Sequence, residues 1–161
     1  MSGKPELEAK IVEAIYRGAC EASELKRALE LIAGYFDSSA VVLGELDAAH
    51  PKDQFVVAAN GGDDQYFENY QAYAEFDPAP RALMAQPAGK AALTDRIFSR
   101  EQRQSFVFLN EFLRPRGIDG SLGSSLFSDR GRFAMVAVLQ DVGHNYGDDD
   151  IARFQLNPMH F

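Results

Sequence analysis

Hydrophobic residues recur every third or fourth position early in the chain, and this spacing predicts two helices, within residues 6–19 and 24–36. The pattern then changes. Residues 40–46 and 54–59 are apolar segments of strand length that are separated by a polar turn. They predict an antiparallel hairpin.

Aromatic helical segments predominate in the middle of the sequence. Residues 64–76 are helical in composition, and the dipeptide Asp77-Pro78 breaks the segment. Ser99 predicts the N-cap of a short helix. Residues 106–113 form a second aromatic helical face. Together these segments predict a helical crossover between two hairpins.

A second hairpin and a last helix complete the pattern. Residues 118–127 alternate between larger and smaller side chains, whereas residues 132–140 are apolar on both faces and predict a central strand. Residues 148–156 begin with acidic residues, which favour a helix N-terminus. The order predicts one α+β domain over residues 1–161, with an antiparallel sheet and helices at both termini and in the crossover. GAF and PAS sensor folds have this layout.

The charge and composition exclude several classes of partner. The formal net charge is −8, from 24 acidic and 16 basic residues. This balance argues against direct nucleic-acid binding by this chain and against docking on anionic membranes. Cys20 is the single cysteine, no apolar run has membrane-spanning length, and the first ten residues lack a signal peptide's apolar core. We therefore expect a cytoplasmic protein.

Motifs of catalysis and metal binding are missing from the sequence. It contains no G-x-S-x-G nucleophile elbow. His50, His144 and His160 are widely separated, and the acidic residues near His144 match neither a zinc site nor an EF-hand. We predict no catalytic residue, no metal ligand and no cofactor, and we expect that the protein is not an enzyme.

An aromatic cluster beside a carboxylate is the candidate ligand site. On a helix, Tyr66, Tyr70 and Tyr73 share one face, where they could line a pocket, and the Asp77 carboxylate could accept a hydrogen bond from a ligand. The alternatives are core packing for the aromatic side chains and turn formation for Asp77. The second aromatic face could close the pocket or belong to the core. The predicted ligand-binding residues are Tyr66, Tyr70, Tyr73, Phe76, Asp77, Phe108 and Phe112.

Three stretches of the sequence carry a resemblance to a known family. They are YQAYAEFDP at residues 70–78, PAGKAALTD at residues 87–95 and NEFLRPRGI at residues 110–118. In this order and spacing they resemble the N-terminal GAF-like sensory domain of LuxR-type helix-turn-helix transcriptional regulators, over nearly the whole chain. The resemblance implies transcription regulation, an unidentified small-molecule ligand and a homodimer. The family's helix-turn-helix does not occur within residues 1–161.

The resemblance extends to autoinducer-binding domains, whose pocket uses a Trp-x-x-x-Tyr pair followed by Asp-Pro. Tyr66 and Tyr70 have this four-residue spacing, and Asp77-Pro78 follows. Tyr66 stands where those domains have tryptophan, and the gap to Asp77 is shorter. These departures count against an acyl-homoserine lactone as the ligand.

Three functions remain open at this point. The leading hypothesis is a sensor domain that binds a small, partly apolar molecule and signals through its terminal helices. The alternatives are a ligand-free dimerisation or partner-docking module and, third, an enzyme on the same scaffold. The apolar residues of the terminal helices could contact a second protomer or pack on their own sheet; they are Leu7, Ile11, Ile15, Ile151 and Phe154.

Overall fold

A five-stranded antiparallel sheet forms the central layer of the protein. The computed structural model describes residues 22–47, 55–59, 70, 72–87 and 89–156. The order across the sheet is β2-β1-β5-β4-β3, and every neighbouring pair is antiparallel, which confirms both predicted hairpins. The strands are β1 (Val41–Asp47), β2 (Phe55–Ala59), β3 (Ala92–Leu93), β4 (Ile118–Asp129) and β5 (Arg132–Asp141).

Helices precede the sheet, follow it and occupy the crossover between β2 and β4. The α-helices are α1 (Ala22–Tyr35), α2 (Ala79–Met84), α3 (Thr94–Ile97), α4 (Arg100–Ser105) and α5 (Asp148–Leu156). The crossover also contains a π-helix (Phe108–Leu113) and two 3₁₀ turns (Ala74–Phe76 and Arg114–Arg116). The predicted α+β class is confirmed, and the finer GAF/PAS-like assignment stays a prediction. The helix predicted over residues 6–19 lies outside the described residues.

Strand β5 divides the core into two faces, as expected for a central strand. It pairs with β1 on one side and with β4 on the other, and residues 133–140 are all buried. Because side chains alternate along a strand, Val136 and Val138 belong to one apolar cluster, whereas Leu139 belongs to another. Two helical layers therefore cover opposite faces of the sheet.

Helices α1 and α5 cover the first face. Phe36, just after α1, packs on Phe154 of α5 with 5.6 Å between ring centroids. Tyr146 donates a hydrogen bond from its hydroxyl to the Phe36 carbonyl at 2.9 Å. Phe154 has no exposed surface, and Ile151, which is partly buried, packs against the same cluster. Phe154 therefore packs on its own domain, and the sequence-based suggestion that it contacts a second protomer is not supported.

The crossover covers the second face, and its helix ends are fixed by side chains. Ser99 caps α4 as predicted, by accepting the Gln102 amide hydrogen, while the Gln102 side chain accepts from the Ser99 amide. The Asn110 amide then donates to the carbonyls of Arg103, Gln104 and Phe106 at 2.8–3.2 Å. They supplement the backbone hydrogen bonds that the carbonyls of Arg103 and Phe106 already accept, and they join the end of α4 to the π-helix.

None of the helices within the described ranges combines the length and apolar character of a membrane span.

Candidate ligand pocket

A pocket lies between the sheet and the helical crossover. Its cavity volume is about 70 Å³. A single water needs roughly 10–15 Å³, so the pocket has room for a small organic molecule. Its walls are mainly apolar and come from both layers; the large apolar lining residues include Phe98, Phe106, Phe108, Leu109, Leu113, Met135 and Leu139.

The π-helix builds the aromatic wall. Because its hydrogen bonds join residues five positions apart, a π-helix brings residues i and i+5 much closer to one face than an α-helix does. Phe108 and Leu113 accordingly line the pocket together, with Leu109 beside them. Phe112 is fully buried and stacks on Phe108, with ring centroids 5.0 Å apart and planes inclined by 24°. Phe112 therefore supports the wall from behind.

Asp77 places a carboxylate in the pocket wall. Its Oδ2 accepts a hydrogen bond from the Tyr70 hydroxyl at 3.0 Å, and its Oδ1 accepts from the Ala79 amide at 3.0 Å. Burial raises the pKa of Asp77 to about 6, and the two hydrogen bonds offset only part of this rise. Near neutral pH the pocket thus holds a charged acceptor that is poorly hydrated.

A bulge in β4 supplies a second polar region. The register with β5 shifts between Ile118 and Gly120, so Asp119, Gly120 and Ser121 all line the pocket, although neighbours in a regular strand would alternate. Thr94 bonds to the Ser121 backbone, accepting from its amide at 2.9 Å and donating to its carbonyl at 3.3 Å. The bulge therefore makes three consecutive residues of β4 part of the pocket lining.

Arg103 also lines the pocket, and it forms an ion pair with Asp95. Its Nη1 lies 3.1 Å from Asp95 Oδ1, and Gln140 donates to Asp95 Oδ2 at 3.4 Å. The Arg103 Nε–H is buried and has no acceptor among the described residues. Asp119 similarly pairs with Arg114 at 3.2 Å. The charged groups here mostly neutralise one another.

The structure brings three of the seven predicted residues into the pocket wall: Tyr70, Asp77 and Phe108. Phe112 and Tyr73 pack on each other behind the wall, with ring centroids 5.4 Å apart. Phe76 does not line the pocket; its side chain is 49% exposed, because the chain leaves helical geometry at the 3₁₀ turn Ala74–Phe76. Tyr66 lies outside the described residues. A ligand-binding role for any of them stays a prediction.

Comparison with solved structures gives clear likenesses at low sequence identity. The LBD domain of VqsR from Pseudomonas aeruginosa matches with a TM-score of 0.68 at 14% identity, over 97% of this chain and 90% of that one. CepR2 from Burkholderia cenocepacia, an N-acylhomoserine lactone dependent LuxR family transcription factor, matches with a TM-score of 0.66 at 14% identity, over 94% and 85%. This chain has the fold of these LuxR-family domains.

A third match to the LuxR-family fold is Escherichia coli SdiA in complex with octanoyl-rac-glycerol, with a TM-score of 0.62 at 14% identity, over 97% of this chain and 66% of that one. No protein-family model and no curated protein matches the sequence. The likeness therefore establishes the fold, and the function has to be argued from the pocket.

In this LuxR-type fold, sequence reasoning missed most of the lining that comes from outside the aromatic segments. Thr94, Arg103, Ser121 and Met135 lie far apart along the chain, and only the sheet brings them together. One signal was available, the alternation of larger and smaller side chains over residues 118–127, since small residues in a strand leave space for a ligand or for a packed side chain. At Gly120 the second holds, because a Cβ would lie 2.7 Å from Thr94 Oγ1.

Proposed function

We propose that this chain is a ligand-sensing domain of a LuxR-type transcriptional regulator, and that a small, partly apolar molecule binds in the pocket between the sheet and the crossover. The observation that carries the proposal is a mainly apolar pocket with the Asp77 carboxylate, oriented by Tyr70, in its wall. Ligand sites are typically apolar with a few well-placed polar groups. The LuxR-family fold also supports a ligand-sensing function.

Asp77 is the proposed orienting group for the ligand. An ionised carboxylate only accepts hydrogen bonds, so it selects a ligand with an N–H or O–H donor. Two of its acceptor positions already serve Tyr70 and Ala79, which hold the group in place without occupying all of its lone pairs. A donor from the ligand would replace the water that burial removes.

The domain binds its ligand without transforming it in this proposal. Arg103 pairs with Asp95, and Asp119 pairs with Arg114, so these charged groups hold one another. Among the described residues, no cation forms an ion pair with Asp77. General acid–base catalysis commonly uses two titratable groups whose pKa values are tuned to opposite roles. In this pocket the charged groups pair with one another, which favours ligand binding over catalysis.

Signalling would pass from the pocket to the opposite face of the sheet. Strand β5 contributes Met135 and Leu139 to the pocket and Val136 and Val138 to the cluster under α1 and α5. A ligand that favours one packing of β5 would thereby bias those helices, in proportion to its differential affinity for the two states. A homodimer that reads out this bias is part of the proposal.

Titration calorimetry with two chosen probes tests the proposal. The probes are 1-octanoyl-rac-glycerol and N-octanoyl-homoserine lactone, which resemble molecules named for SdiA and CepR2. We expect saturable binding of at least one probe at one site per chain. Tyr70→Phe removes the hydroxyl that orients Asp77 and should weaken binding about threefold to tenfold.

Tyr73→Phe is the matched control, because Tyr73 lies in the same segment and packs on Phe112 outside the pocket. It should leave the affinity unchanged. Absence of saturable binding for both probes, or equal losses in the two variants, would contradict the proposal. The ligand-free alternative would then gain support if light scattering still showed a stable dimer.

A further inference from the structure

The short helix α3 contacts both the pocket and the start of helix α5. Thr94 lines the pocket. The next residue, Asp95, pairs with Arg103 of the pocket wall. Arg96 then pairs with Asp148, the first residue of α5. Three consecutive residues of one helical turn thus connect the pocket wall on one side to the last helix on the other.

Gln140 is the buried part of this connection. It is 1% exposed, and both ends of its side-chain amide are in use. The nitrogen donates to Asp95 Oδ2 at 3.4 Å, and the oxygen accepts from the Tyr146 backbone amide at 3.5 Å; these are its polar partners among the described residues. A buried amide depends on such partners, because the loss of one leaves a polar group unsatisfied. Gln140 therefore ties the position of α3 to that of Tyr146.

The connection passes from one face of the sheet to the other. Alternation along β5 places Gln140 on the same side as Val138, under α1 and α5, whereas Leu139 lines the pocket. Gly120, which pairs with Gln140 in the sheet, keeps the path open. A Cβ at this position would lie 3.5 Å from Asp95 Oδ1 and 3.9 Å from Gln140 Nε2. A longer side chain at this position would compete for the space in which the two groups meet.

Tyr146 carries the connection into the cluster under the terminal helices. Its hydroxyl donates to the Phe36 carbonyl at 2.9 Å, and its ring meets the Phe36 ring edge-on, with centroids 6.2 Å apart. Tyr146 lies only two residues before Asp148, where α5 begins. A shift of the Tyr146 backbone would therefore displace the first turn of α5.

This polar route differs from the apolar packing of β5. The apolar side chains of β5 belong to a cluster that α1 and α5 share, so a change in their packing would affect both helices. The route through Gln140 ends directly before α5, and the Arg96–Asp148 pair also ends on α5. It therefore predicts a larger response in α5 than in α1.

We propose that α3 is a transmission element, in which Gln140 couples the crossover wall of the pocket to α5, so that a ligand that holds α3 in place stabilises α5. The inference rests on the proposed function, because transmission of a signal requires a ligand in the pocket. The buried Gln140 contacts carry the coupling, since an exposed ion pair such as Arg96–Asp148 contributes little. Helix α5 is then the element that reports occupancy.

Hydrogen exchange of the α5 amides measures the coupling without any ligand. Gln140→Met keeps an unbranched side chain of similar length and removes both polar contacts. We expect exchange in α5 to become about fivefold faster relative to the slowest amides of β5. A general loss of stability would accelerate β5 at least as much, so the ratio isolates the effect on α5.

Gln102→Met is the matched control, because it makes the same substitution in α4 and loses a capping bond to Ser99 that does not lead to α5. It should leave the exchange ratio of α5 to β5 unchanged. A double variant assigns the effect to the connection. Asp95→Ala added to Gln140→Met should not raise the ratio further, because the route is already interrupted.

A bound probe tests whether occupancy uses this route. The probe is 1-octanoyl-rac-glycerol at saturating concentration, or N-octanoyl-homoserine lactone if only the lactone binds. In the unmodified protein it should slow exchange in α5 about fivefold and in α1 by less. In Gln140→Met the probe should still bind, and the additional slowing of α5 should disappear.

The outcomes separate this inference from the proposed function. An unchanged exchange ratio in Gln140→Met would overturn the role of α3 and leave the pocket a ligand site. Equal slowing of α5 and α1 by a bound probe in the unmodified protein would do the same, and this comparison needs no variant. If neither probe binds in calorimetry, the ligand-sensing function and the transmission role of α3 both fall.

Discussion

Replacing Asp77 by asparagine should change how the stability of the protein depends on pH. The pKa of Asp77 is raised by burial from its ordinary value of 3.8 to about 6. Between these values the folded protein holds a proton that the unfolded chain has released, so the free energy of unfolding falls as the pH rises. At about 1.36 kcal/mol per pH unit, the full cost of ionising Asp77 is about 3 kcal/mol, reached above pH 6.

Asparagine removes this cost; its oxygen can accept from the Ala79 amide, and its NH2 group can donate to the Tyr70 hydroxyl oxygen. The difference in unfolding free energy between Asp77→Asn and the unmodified protein should therefore move in favour of the variant as the pH rises. About 2 kcal/mol of the change should develop between pH 4.5 and 7.5. Using the difference cancels the titration of every carboxylate that both proteins share.

Urea denaturation at one-unit steps across this range measures the difference. Asp119→Asn is the control: Asp119 is also on the pocket wall, but it pairs with Arg114, so its removal should bring no gain at high pH. A constant difference for Asp77→Asn from pH 4.5 to 7.5 would refute the reasoning, because it would mean that Asp77 titrates alike in the folded and unfolded protein.

Three further substitutions, one of them a control, test the framework of the pocket. Gly120→Ala places a Cβ 2.7 Å from Thr94 Oγ1 and should lower the free energy of unfolding by about 1–3 kcal/mol. Gly34→Ala is the control: the new Cβ in helix α1 meets no atom within 4 Å, so the substitution should raise the free energy of unfolding by about 0.5–1 kcal/mol. Equal effects of the two substitutions in thermal denaturation would contradict this. Phe112→Ala empties a fully buried site behind the pocket wall and should cost about 3–5 kcal/mol; a loss below 1 kcal/mol in urea denaturation would show that Phe112 does not support the wall.

Local patterns were sufficient to predict most of the architecture. The two-residue alternation located β4, and the apolar character of residues 132–140 identified β5 as a central strand. Ser99 marked the start of α4 because N-capping depends on residues only three positions apart. Each of these signals concerns neighbours in sequence, which is why the sequence alone could indicate them.

The pocket was harder to predict because its walls come from distant segments. Tyr70 and Asp77 are only seven residues apart, so the sequence could predict that they lie close together. Arg103 reaches the pocket only because α4 packs on the sheet. Phe76 was expected in the wall because its helix was extended one turn too far, and the 3₁₀ turn that begins at residue 74 directs it outward. Aromatic content indicated where a pocket could form, and it did not distinguish lining from support.

The unusual winding of residues 108–113 makes this segment sensitive to its length. The six residues form a π-helix in which Phe108, Leu109, Phe112 and Leu113 are all buried. Deleting one residue while the others keep this winding would rotate every later side chain by slightly less than a quarter of a turn. Leu113 would then turn away from the pocket, and the chain would enter β4 out of phase with β5. Related sequences should accordingly tolerate substitutions in this segment far better than insertions or deletions.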